Sequence, residues 1–92
     1  MSSASREVEV VNARGLHARA SAKFVNLATD IDATVEVEKD GHRVTGTSIM
    51  GLMMLGAAKG DSVLIHVEGE GAETALEKLV ELVESGFGEE AA

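Results

Sequence analysis

Valine alternates with a charged or polar residue along Glu7-Val8-Glu9-Val10, and again along Thr34-Val35-Glu36-Val37-Glu38. A backbone with a period of two turns its valines to one face and its carboxylates to the other. The chain therefore needs a sheet with one wet face and one covered face, which favours antiparallel pairing. Asp40-Gly41 offers the positive-φ residues of a tight hairpin turn, after which His42 to Thr47 reads as a returning strand. Ser62-Val63-Leu64-Ile65-His66-Val67 is a fourth strand of the same kind.

Three helical stretches fall between and after these strands. The first runs from Ala18 to about Ala28, and the second from Ile49 to about Leu55, with Ser48 as N-cap and Gly56 as stop. The third, from Ala72 to about Ser85, sets Leu76, Leu79, Val80 and Val83 on one side and Glu73, Glu77, Glu81 and Glu84 on the other. The order β-α-β-β-α-β-α predicts an α+β fold, a four-stranded antiparallel sheet covered on one face by three helices. At 92 residues the chain is one domain, 1–92. Its ordered core is expected from about residue 6 to about residue 88, with frayed termini.

Composition narrows the function. Sixteen acidic residues against eight basic ones argue against nucleic acid as a partner, and two phenylalanines without Tyr or Trp leave no stacking platform for bases. Without cysteine there is neither a thiolate nucleophile nor a Cys-based zinc site, and His42 and His66 lack partners at ligand spacing, so no metal or other cofactor is expected. His42 reads as an exposed turn residue and His66 as a sheet-surface residue. No stretch is long and uncharged enough to span a bilayer, and the start of the chain has no signal-like apolar core, so a soluble cytoplasmic protein is expected. The acids are unevenly spread. None occurs from Val10 to Thr29 or from Gly41 to Gly60, whereas Glu68, Glu70, Glu73, Glu77, Glu81, Glu84, Glu89 and Glu90 crowd the end.

In the first acid-free zone, Arg14-Gly15-Leu16-His17-Ala18-Arg19 places a histidine between two arginines at a helix start. Leu16, His17 and Ala18 are not among the usual capping residues, so the first-turn amides are expected to point at something outside the helix. Free amides beside a guanidinium form an anion site, and His17 stands where it could hold the anion covalently. The same positive charge disfavours a protonated imidazole, which leaves a ring nitrogen free to attack phosphorus. The dipole contributes about 0.3–1 kcal/mol, enough to hold a phosphoryl group without trapping it. A phosphatase with a histidine nucleophile would need a general acid near His17, and the flanking stretch has none.

The second zone holds Ser48-Ile49-Met50-Gly51-Leu52-Met53-Met54-Leu55, apolar almost all round. A helix of two turns cannot bury every side against a small sheet, so part of this surface should face solvent as a docking patch. Ser48 reads as an N-cap, with regulatory phosphorylation compatible with that position.

Asn12-Ala13-Arg14-Gly15-Leu16-His17-Ala18-Arg19, the Ser48 to Gly56 segment and Ala58-Lys59-Gly60-Asp61 together resemble the HPr family of bacterial phosphotransferase-system phosphocarriers, over Val8 to about Gly88. The resemblance implies an open-faced β-sandwich. It implies phosphorylation of His17 at Nδ1 by phosphoenolpyruvate-charged enzyme I, with Arg19 facing the phosphate and onward transfer to a histidine of an enzyme IIA protein. It further implies docking through Ala18, Ala20, Lys23, Ile49, Met50 and Met53, a monomer, and Ser48 as the target of a dedicated kinase and phosphorylase in some bacteria. An alternative reading is a regulatory binding module controlled through Ser48, with His17 silent. The chain departs from the family pattern at Ala20, where proline is usual. Leu52-Met53-Met54-Leu55 and Val83-Glu84-Ser85-Gly86-Phe87 resemble the nitrogen-branch members more than the sugar-branch ones.

Overall fold

The alternating segments become β1 (Ser3–Glu9), β2 (Thr34–Lys39), β3 (His42–Thr45) and β4 (Ser62–Glu68), joined in one antiparallel sheet of order β1-β4-β2-β3. A computed structural model describes residues 2–89; Met1 and residues 90–92, Glu90 of the acidic tail among them, lie outside the described residues. The register sets Val8 opposite Val63, Val37 opposite Ile65 and Val35 opposite Val67. The apolar sides of three strands therefore coincide, and all six side chains are buried.

The opposite face stays wet. On it the Arg43 guanidinium donates to Glu38 at 3.2 Å and Glu36 at 3.3 Å, and reaches His66 Nε2 at 2.9 Å. A guanidinium has only donors, so Nε2 must accept and the His66 proton sits on Nδ1. His66 is thus a sheet-surface residue, and His42 is exposed at the start of β3, beyond a turn in which Asp40 and Gly41 both have positive φ.

The helices α1 (Ala18–Thr29), α2 (Ile49–Met54) and α3 (Ala72–Glu84) all cover the apolar face. The first buries Ala20, Ser21, Phe24 and Ala28, and the third buries Ala72, Ala75, Leu76, Leu79, Val80 and Val83. Each large apolar side chain fully buried there contributes about 1.5–3 kcal/mol. Glu73, Glu77, Glu81 and Glu84 remain exposed, so the charge-bearing side of α3 faces solvent.

Element ends differ slightly from the sequence reading. The first strand begins at Ser3, because Ala4 pairs with Val67 and the Gly69 amide donates to Ser2 O at 2.9 Å. The third stops at Thr45 instead of Thr47, where the Ser48 amide donates back to Thr45 O at 3.2 Å and turns the chain into α2.

Two local structures shape the surroundings of the α1 N-terminus. The loop before α1 is clamped by the loop that follows α2: Leu16 donates its amide to Ala57 O at 3.0 Å, and Gly60 donates to Val10 O at 2.8 Å. Gly15 sits in this clamp at φ +61°, and a Cβ there would lie 2.3 Å from Ala57 O. After α3, Gly86, Phe87 and Gly88 take φ values of +69°, +59° and +72° in succession. The left-handed conformation of Phe87 costs about 1–2 kcal/mol, which burial of its ring in the core offsets. This turn brings Glu89 back to the start of α1.

The clamp yields a direct comparison. Gly15→Ala combines backbone strain with a collision and should lower unfolding free energy by about 2–3 kcal/mol in urea denaturation. Gly56→Ala, at φ +66° with open space around it, meets strain alone and should cost about 1–2 kcal/mol.

Candidate functional site

His17 is the N-cap of α1, with φ −72° and ψ 178°. This corrects the sequence reading that the helix begins without a side-chain cap. Its Nδ1 accepts from the Arg19 amide at 3.3 Å, a long bond, while the His17 carbonyl accepts from the Ser21 amide at 2.9 Å. By helix geometry the Ala18 and Ala20 amides find no acceptor within the helix. The other ring nitrogen, Nε2, lies 2.5 Å from Glu89 Oε2.

These contacts assign the tautomer. Nδ1 accepts from a backbone N–H and so bears a lone pair, and in the neutral ring the proton is on Nε2, donated to Glu89. Glu89 Oε1 in turn accepts from Asn12 Nδ2 at 3.1 Å, and the same amide donates to Gly15 O at 2.8 Å. Hydrogen bonds from His17 first and Asn12 second hold the Glu89 carboxyl below its ordinary value of 4.5.

Arg14, Arg19 and Lys23 join His17, Gly88 and Glu89 in lining an open pocket of about 320 Å³. Three cations against one carboxylate, and a ring nitrogen engaged only by the long Arg19 amide contact, suit a phosphate-sized anion. The His17 side chain is 21 % exposed, neither sunk in the core nor fully in solvent. Lys23 is exposed along its stem, yet its Nζ donates to Phe87 O at 2.7 Å and so ties the C-terminal turn to α1.

Sequence reasoning missed Glu89 and Asn12. Val10 to Thr29 holds no acid, but Glu89 reaches His17 across a separation of 72 residues. It is ionised and accepting, so it is no general acid.

The second segment lies next to the first, since α2 packs beside α1. Ser48 caps α2, its Oγ accepting from the Gly51 amide at 2.9 Å. Ile49 and Met53 are about two-fifths exposed, Met50 is 69 % exposed and Met54 80 %, while Leu52 is buried. Met54 therefore belongs to the exposed patch and does not fill a gap inside. Ala18 is exposed, but Ala20 is completely buried on the core side of α1 and is removed from the docking set. Among the described residues no group of three His, Cys, Asp or Glu is placed to hold a metal, and no helix is long and apolar enough to cross a membrane.

Residues 4–85 match the PTS-HPr family model, described as the PTS HPr component phosphorylation site. The chain belongs to the HPr family of phosphocarriers. It is similar to the phosphocarrier protein HPr of Neisseria meningitidis, with 44 % identity over 84 residues covering 91 % of this chain and 94 % of that one. Among solved structures it resembles HPr-C-His from Thermoanaerobacter tengcongensis, with a TM-score of 0.90, 44 % identity and coverage of 95 % and 98 %. It also resembles an HPr from Bacillus anthracis, with a TM-score of 0.85, 40 % identity and coverage of 90 % and 99 %. The four-stranded, open-faced α+β fold is that of these HPr structures.

The depressed Glu89 carboxyl has a signed consequence. Its folded value lies below its unfolded one, so the contact stabilises fully above about pH 4.5 and the contribution is lost as pH falls through the lower folded value. Urea midpoints measured from pH 7 to pH 3 should therefore fall more steeply for the parent chain than for Glu89→Gln. Equal slopes would remove the ionised contact.

Proposed function

We propose that the chain is a phosphohistidine carrier in which His17 Nδ1 takes a phosphoryl group from enzyme I and surrenders it to a histidine of an enzyme IIA-type protein. The recipient belongs to a sugar-transport or a nitrogen-regulating branch. The observation that carries this reading is the division of the imidazole: Nδ1 presents a lone pair at a cationic pocket while Nε2 keeps its proton on Glu89.

The step balances without moving a proton. The Nδ1 lone pair attacks phosphorus as the bond from phosphorus to the donor breaks, and the long Arg19 amide contact yields to the incoming group. The ring then carries positive charge, which the ionised Glu89 meets at Nε2. Arg19 supplies a fork of donors to the phosphoryl oxygens, and the first-turn amides add the helix dipole. In onward transfer a lone pair of the recipient's histidine forms a bond to phosphorus as the Nδ1–P bond breaks, and the His17 ring departs neutral with the same Nε2 proton in place.

Docking is assigned to Ala18, Lys23, Ile49, Met50 and Met53, with Met54 extending the patch. Pliable thioethers beside a charged pocket suit a surface that meets donor and recipient in turn through small interfaces. The carrier works as a monomer within the cytoplasm. Phosphorylation of Ser48 by a kinase would place negative charge at the start of α2, beside this patch, and weaken docking.

Incubation with phosphoenolpyruvate and enzyme I should give an acid-labile, base-stable phosphate on the parent chain and none on His17→Ala. Arg19→Ala should accept about 10–100-fold more slowly, the loss of a charged hydrogen bond. Full labelling of His17→Ala would overturn the assignment.

A further inference from the structure

We propose that Asn12 is a positioning residue of the relay, holding Glu89 against His17 Nε2 so that the ring's lone pair is kept on Nδ1. The inference rests on the reading of His17 as phosphoryl acceptor. Glu89 follows three left-handed residues and belongs to no helix or strand, so secondary structure does not fix its carboxylate. Two side chains fix it. Oε2 accepts a hydrogen bond from His17 Nε2–H, and Oε1 accepts one from Asn12 Nδ2 at 3.1 Å.

Asn12 is suited to be the fixed end. It is only 5 % exposed, its carbonyl accepts from the Gly15 amide at 3.1 Å, and its Nδ2 also donates to Gly15 O at 2.8 Å. Gly15 is itself pinned against Ala57, so the amide is anchored to the clamped loop that leads into His17. Both Nδ2 protons are thereby used, one on the loop and one on Glu89. The remaining atom makes the choice of residue informative. Asn12 Oδ1 is buried and has no hydrogen-bond partner among the described residues. An orphaned acceptor costs stability, so an amide here is explained by its donors and not by its oxygen. An aspartate in its place would be nearly isosteric but would have no donor for Gly15 O and would repel Glu89.

The test exchanges donor and acceptor. In Asn12→Asp combined with Glu89→Gln, the glutamine amide can donate to Asp while its oxygen still accepts from His17 Nε2–H. Proton NMR of the full chain reads the Nε2–H signal and its solvent exchange without any phosphoryl donor. Exchange should be at least about tenfold faster in Asn12→Asp than in the parent, and should slow again in the double variant. The initial rate of phosphorylation by enzyme I should fall and recover in parallel. Should Asn12→Asp fail to fold by circular dichroism, Glu89→Ala decides, because that side chain lies outside the core. One Asn12 side-chain amide proton should then exchange faster together with the Nε2–H. Parent-like Nε2–H exchange in Asn12→Asp or Glu89→Ala overturns the proposal, as does a double variant no slower than Asn12→Asp. Absence of phosphate on His17 with the NMR result intact would instead overturn the carrier reading and leave the Asn12 linkage standing.

Discussion

The sheet has one apolar face, and every helix must therefore crowd onto that face. Val8, Val35, Val37, Val63, Ile65 and Val67 coincide only in the observed register, and a shift of one residue would turn them all to water. With α1, α2 and α3 confined to a single layer, α2 lies beside α1 and the end of α3 returns to the start of α1. The histidine, its arginines, the methionine patch and the Glu89 carboxylate are gathered on one side because their elements share that single layer.

In the proposed carrier, chemistry at that place depends on keeping one proton still. A histidine that lost and regained a proton with each transfer would need an acid and a base on both partners. Here Nε2 has a resident acceptor, and Nδ1 has only a long contact to give up. The cations of Arg14, Arg19 and Lys23 would favour the proposed phosphoryl group in a pocket open to solvent, where screening keeps their hold modest. Modest holding suits a group that has to leave.

Local rules read from the sequence account for much of this. Period-two alternation located β1, β2 and β4, the Asp40-Gly41 turn located the hairpin and its returning strand β3, and the acid-free motif around His17 located the pocket. The start of β1 at Ser3 was missed because its pairing with β4 is a tertiary bond, invisible to periodicity. The capping role of His17 was missed because its imidazole is not among the usual capping side chains. Ala20 was misplaced because a small residue fits the core and the surface equally well, and only the phase of α1 against Phe24 decides between them. Glu89 and Asn12 are the largest omission. Their meeting depends on three left-handed residues ending in a glycine, and no pattern in the sequence says that Phe87 adopts φ +59°. The paired glycines around a buried aromatic were the available signal.

The relay stands or falls on which nitrogen bears the phosphorus. In the phosphorylated chain labelled with ¹⁵N-histidine, scalar coupling between ³¹P and ¹⁵N identifies that atom directly. Coupling to His17 Nδ1 is expected, with Nε2 still showing its one-bond proton coupling. Phosphorus coupled to Nε2, or to a nitrogen of His42 or His66, would contradict the relay.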